Sequence, residues 1–270
     1  MPIVTISRGT YSGGMELGEC VARCLDVPCV SREIIVDAAQ RFGVSEESLA
    51  EAMGKPPSFF ERFSHQRDMY LSLVRSGLVQ QAASGSFVYH GHSGHLLLAD
   101  VPTVLKVRVV APLPFRVRAA MERLGVDQKE ATLHIEKVDH QRERWTRFLY
   151  GVEWQDPALY DLVINLEHIE VAEACEVVCQ LARLERFQCT DAVKNAMTDL
   201  ALASMVSAEL ARDERTRAAH LQVAATAGTV TIRGRTRLVS TRDAIPEVVG
   251  KVSGVQQLEL KVAVSSEVPS

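Results

Sequence analysis

The chain has 270 residues, 47% hydrophobic and 24% charged, with 30 Lys and Arg against 34 Asp and Glu for a formal net charge of −4. That length holds one full α/β domain and a small second one, and the charge gives no general attraction to nucleic acid or to an anionic membrane. Residues 190–270 carry 10 basic and 9 acidic side chains, leaving 20 and 25 upstream, so neither part is a basic module.

The chain opens on Ile3-Val4-Thr5-Ile6-Ser7, a β-branched apolar run that reads as a strand, followed by a glycine-bearing loop and a helical pattern from Met15 to Leu25. Val27–Val30 is a short extended piece. Helices are expected after Ser31 and again after Gly43, with a break at Lys55-Pro56-Pro57-Ser58, an aromatic segment from Phe59 to His65, and a long helix over Gln66–Ala83. Ser86–His90 and Val104–Val110 read as strands, separated by the loop Gly91-His92-Ser93-Gly94 and a short apolar turn at Leu96–Leu98. Helices follow from Pro112 to Leu124 and, densely charged, from Asp127 to Tyr150; Asp161–Asn165 is a strand and Val171–Phe187 a helix.

Strands alternating with helices indicate an α/β fold, a parallel sheet with helices on both faces. From Asp191 the order changes to helix, strand (His220–Ala225), strand (Thr229–Thr236), helix (Ser240–Val249) and strand (Val255–Val264), a small αββαβ domain. Domains are expected over 1–187 and 190–265, with a frayed tail after Ser265.

No run approaches the roughly 18 apolar residues of a membrane helix, and no charged segment followed by an apolar one marks the N-terminus. A cytoplasmic protein with reduced thiols is expected. Of the six cysteines, Cys20 and Cys24, and Cys175 and Cys179, lie four apart on expected helices, each pair on one face. Without a Cys-x-x-Cys spacing they read as packing, and no metal site is assigned.

Strand, glycine loop and helix in that order build a phosphate-binding loop, because backbone N–H groups turn inward and the helix start adds positive potential. In the pattern G-x-x-x-x-G-K-[ST], Gly9 and Gly14 fit the glycines, while Met15 replaces the lysine and Glu16 the magnesium-holding hydroxyl. Arg8, Gly9, Ser12, Gly13, Gly14, Met15 and Glu16 are the expected nucleotide-binding residues, with Arg8 placed to supply the missing charge. Further cations stand at Arg116, Arg118, Arg123, Arg142, Arg144 and Arg147, where Asp139–Arg144 would suit a lid over the phosphates. Arg8, Arg142 and Arg144 are the expected catalytic residues. Gly91, His92, Ser93 and Gly94 follow a strand, at the edge where ligands of parallel sheets bind, and are the expected acceptor contacts. His90 and His95 are irregularly spaced and lack an acidic partner nearby, so they give no metal site.

Ile6-Ser7-Arg8, Ser12-Gly13-Gly14, Phe87-Val88-x-x-Gly91, Asp139-x-x-Arg142 and Trp154-x-Asp156-Pro157-x-x-Tyr160-Asp161-Leu162 occur in the order seen in cytidylate-kinase-like proteins, which residues 1–187 therefore resemble. The resemblance implies a P-loop nucleoside-monophosphate-kinase fold, ATP and Mg2+ as cofactors, and CMP or a similar nucleotide as acceptor. It also implies that the missing lysine is a family trait. Met15 stands where relatives often have arginine, and His92 where they usually have arginine. The C-terminal unit resembles a BON domain through Gly228–Gly234, Ile245–Val249 and Val252–Val255. Such domains bind membranes or partner proteins; lacking a basic or aromatic stripe, this one points to a protein partner. The partners expected are thus a nucleotide and a protein, with homo-oligomerisation left open. Two functions follow: a phosphotransferase, or a catalytically inactive nucleotide- or phosphate-sensing module that signals through the BON-like domain.

Overall fold

The computed structural model describes residues 2–31, 72, 75–82, 85–91, 93–101 and 103–264. The features expected between Ser31 and residue 71, His92 and the tail after Val264 lie outside these residues; of the helix expected over Gln66–Ala83, residues 75–82 are helical. Two compact units emerge, one including 85–190 with the N-terminal strand and helix, the other including 191–264.

The first unit runs β1 (Ile3–Arg8), α1 (Gly14–Leu25), β2 (Cys29–Val30), β3 (Phe87–His90), α2 (Gly94–Leu97), β4 (Val104–Val110), α3 (Leu113–Leu124), α4 (Gln128–Tyr150), β5 (Leu162–Asn165) and α5 (Val171–Ala182). Its five strands are all parallel in the order β2-β3-β1-β4-β5. β1 is therefore central. Its β-branched run suits a strand covered on both faces, and strand pleating separates its side chains. Val4 and Ile6, with Val88, Leu105, Val107 and Val109, pack on Leu17 and Val21 of α1 and on Ala174, Val178 and Ala182 of α5. Each buried Val, Leu or Ile among them contributes about 1.5–3 kcal/mol. Thr5, Ser7 and Arg108 are also buried, but alternate to the other face.

The helix expected to reach Phe187 ends at Ala182. The Gln188 side-chain amide donates to the Ala182 carbonyl at 2.9 Å, and a 3-10 turn at Glu185–Phe187 carries Phe187 into the core. No Gly or Pro announces this stop; a cap from six residues downstream produces it.

The second unit comprises α6 (Asp191–Arg212), β6 (His220–Thr226), β7 (Thr229–Thr236), α7 (Val239–Val249) and β8 (Gln257–Val264). β6 and β7 are antiparallel, β7 and β8 parallel, around Leu202, Val206, Val230, Ile232, Ile245 and Val248. The β6–β7 hairpin closes through Ala227 and Gly228, both at positive φ, as its two-residue turn requires. Asp199 supports the less suited Ala227 by accepting its N–H at 2.8 Å. Among the described residues, no helix is long and apolar enough to cross a membrane.

Candidate functional site

β1 leads into a loop that turns at once. Ser12 donates to the Gly9 carbonyl through both its N–H (3.3 Å) and its hydroxyl (2.9 Å), and Gly13, at φ 84°, places the first residue of α1. Gly14 is fixed by a neighbour: a Cβ there would come within 2.6 Å of Arg8 Cβ and Cδ, so the Arg8 side chain lies directly across the start of the helix.

Over this loop stands α4. Asp139 accepts from the Thr10 N–H (3.1 Å) and the Thr10 hydroxyl (2.6 Å), and pairs with Arg116 of α3. Arg142, one turn on, donates to the Thr10 hydroxyl at 3.0 Å and to the Arg8 carbonyl at 3.4 Å. The segment read as a lid is thus the middle of a continuous 23-residue helix, tied to the loop by Thr10 and Asp139. From α3, Arg123 reaches Met15 Sδ at 3.7 Å and Glu16 at 3.6 Å.

Arg8, Ser12, Gly13, Gly14, Met15, Glu16 and Arg142 line one cleft of about 710 Å3, which Arg123, His134 and Glu122 also enter. Burial lowers the Arg8 pKa, with Glu16 opposing the shift; burial also lowers that of Arg142, aided by the neighbouring Arg8 and Arg116 and opposed by Asp139. The Nε atoms of Arg8 and Arg116 are buried without a hydrogen-bond partner. Arg8, Arg116 and Arg142 are therefore crowded at a helix N-terminus with Glu16 and Asp139 as their carboxylates, an arrangement that an anion would relieve.

Other sequence candidates fall elsewhere. Arg144 is exposed and does not line the cleft, because two positions along a helix from Arg142 is the opposite side. Gly9 sits beside the cleft, with Arg116 Nη1 3.4 Å from where its Cβ would be. Gly91, Ser93 and Gly94 are not part of it; the two glycines pack against Tyr89, whose ring atoms a Cβ at Gly91 or Gly94 would meet within 2.8 Å and 2.3 Å. Those two glycines therefore serve packing as well as whatever the loop binds.

On the second sheet face, Arg108 donates to the Trp154 carbonyl at 2.7 Å and lies 4.8 Å over the Trp154 ring and 5.6 Å over Tyr160. Tyr160 donates to the same carbonyl at 2.7 Å. Asp156 caps the 3-10 turn at Ala158, and Asp161 accepts from the Lys106 N–H at 2.9 Å. The Trp154–Leu162 motif thus secures edge strand β5 to β4. Against Tyr160, at a ring separation of 4.5 Å, packs His95, whose two ring nitrogens are buried without partners. Burial, then Lys106 and Arg108, push its pKa down to about 4.

The pH consequence follows from linkage. The unfolded imidazole binds a proton near pH 6.5 while the folded one stays neutral, so His95 costs nothing above that pH. Stability is lost as pH falls from about 6.5 towards 4, by about 3 kcal/mol on the scale of 1.36 kcal/mol per pKa unit. His95→Phe is expected to flatten the fall in Tm over that window; equal slopes in both proteins would remove His95 as the cause.

Residues 3–168 match the model of the cytidylate kinase-like family, and residues 198–265 match that of the BON domain. A cytidylate kinase of Pyrobaculum aerophilum is 24% identical over 180 residues, covering 66% of this chain and 90% of that protein. A cytidylate kinase of Pyrobaculum arsenaticum is 25% identical over the same length and the same shares. An uncharacterized protein from Eubacterium ventriosum has a crystal structure that superposes with a TM-score of 0.54 at 21% identity, over 67% of this chain and 98% of that one, a likeness of fold.

Proposed function

The chain belongs to the cytidylate kinase-like family and is nucleotide-kinase-like; from that premise we propose that it transfers the γ-phosphoryl group of ATP to CMP or a similar nucleoside monophosphate, using arginines in place of a loop lysine. The observation that carries this reading is the crowding of cations at the N-terminus of α1, where Arg142 stands beside Arg8 and Arg116 and the nearby carboxylates are Asp139, against Arg116 and Arg142, and Glu16, against Arg8.

The amides of Gly13 and Gly14 at the start of α1 and the Arg8 guanidinium hold the donor phosphates, taking the place of solvating water. Arg123, beside Met15, brings positive charge to the position the lysine vacates. Arg142 steadies the charge on the group in transit, which in phosphoryl transfer is most of what a protein must do. Mg2+, when bound, neutralises the donor's phosphate oxygens; Glu16, a carboxylate lining the cleft, is the side chain that fits it. Gly91, His92, Ser93 and Gly94 receive the acceptor. The domains run over 1–187 and 190–265, the second engaging a protein partner.

A second reading, nucleotide sensing without turnover, is favoured by one observation: Asp139 and Glu16 already engage Arg116, Arg142 and Arg123. Thermal shift tests what both share. ATP with magnesium, and phosphate alone more weakly, are expected to raise Tm in proportion to saturation. No shift with ATP, CMP or phosphate would remove both readings and leave a scaffold.

A further inference from the structure

Beneath the sheet, α1 and α5 pack side by side and bring together thiols that lie 151 to 155 positions apart in sequence. Sγ atoms of Cys24, Cys175 and Cys179 all lie within 4.8 Å of one another. Cys20 and Cys24 on α1, and Cys175 and Cys179 on α5, are i, i+4 pairs that each share one helix face, and Cys20 packs on the same core as Cys175 and Cys179. None of the six cysteines is in a disulfide.

We propose that Cys24, Cys175 and Cys179 form a site for one zinc ion, with Cys20 at its edge. Three grounds support it. Zinc takes thiolate sulfur at about 2.3 Å in a tetrahedron, which sets sulfurs about 3.8 Å apart; these sulfurs need draw in by no more than about 1 Å. Second, the site is graded: Cys175 and Cys179 are buried while Cys24 is exposed, so an ion has an entry side and one position open to water or to Cys20. Third, three thiolates around Zn2+ leave one negative charge, and Arg183 supplies its counterpart, donating to Cys24 Sγ at 3.6 Å and to the Cys24 carbonyl at 3.3 Å. Each thiol gives up its proton on binding. Zinc there would join α1, whose other end carries the phosphate loop, to α5. The site is independent of any nucleotide chemistry.

Full-length protein, reduced and stripped of metal, is titrated with Co2+ and then Zn2+. The expected result is one equivalent per chain, a near-ultraviolet sulfur-to-cobalt charge-transfer band that zinc bleaches, and a higher Tm with zinc. Cys24→Ser, an exposed change that should leave the fold intact by circular dichroism, is expected to weaken binding at least tenfold, and Cys189→Ser to change nothing. Zinc should also shield Cys24 from iodoacetamide while Cys189 still reacts. Absence of the charge-transfer band, its persistence at full affinity in Cys24→Ser, or a Cys24–Cys179 disulfide forming with no metal uptake would each overturn the proposal.

Discussion

Arg8→Ala is expected to raise the dissociation constant for ATP about tenfold to a hundredfold, the 1.5–3 kcal/mol that a hydrogen bond to a charged group is worth. The reason lies in its position. Arg8 crosses the start of α1 over Gly14 and lines the cleft, with its Nε buried and unpartnered and Glu16 as its nearby carboxylate. Burial has already lowered its pKa, so a bound anion would recover what desolvation costs. Arg123→Ala should weaken binding less, because that side chain is half exposed and its charge is screened. Arg144→Ala, on the far side of α4, should leave affinity unchanged. Calorimetric titration with ATP separates the three. An Arg8→Ala protein that binds ATP as well as the parent would show that charge at this position does not replace the lysine.

The second large effect is on stability. Asp139→Ala removes the acceptor of the Thr10 N–H and hydroxyl and the partner of Arg116, and leaves Arg116 and Arg142 beside Arg8 without their carboxylate. Breaking a largely buried pair of this kind costs about 3 kcal/mol, which for a unit of this size lowers Tm by roughly 6–12 °C. Asp139→Asn should fall between, since it keeps an acceptor and loses the charge. Added phosphate should restore more of the lost Tm in Asp139→Ala than it adds to the parent, because an anion then does what the carboxylate did. A variant that melts within 2 °C of the parent would mean that α4 is held over the loop by its apolar contacts, Ala131 and Ile135 against Val117 and Ala120, and owes little to Asp139.

The N-terminal strand, loop and helix were legible because each signal is local: a β-branched run, two glycines, then apolar residues at helical spacing. β4 was legible for the same reason, its bounds of Val104 and Val110 matching the expectation. Asp139 and Arg142 belonged to a dense run of charges, and the resemblance singled them out as a pair. Their contacts with Thr10 depend on how the α3–α4 hairpin packs, which no window of sequence contains. The same holds for Arg123, one of several cations in sequence and the one that meets Met15 in space. Gly91 and Gly94 read as an acceptor loop because they follow a strand at the edge where ligands of parallel sheets bind; the Tyr89 ring against both glycines lay outside that local signal. That Cys24, Cys175 and Cys179 meet could not be read from spacing, because the thiols converge between two helices far apart in sequence.

Transfer of label from γ-phosphate-labelled ATP to CMP, with dCMP, UMP and AMP in parallel and magnesium present, decides between phosphoryl transfer and nucleotide sensing. Labelled CDP or its counterpart is expected, formed in equal amount with ADP and lost in Arg142→Ala. A protein that binds ATP and CMP, shown by shifts in Tm, yet forms no labelled diphosphate from any of the four would contradict phosphoryl transfer and leave nucleotide sensing.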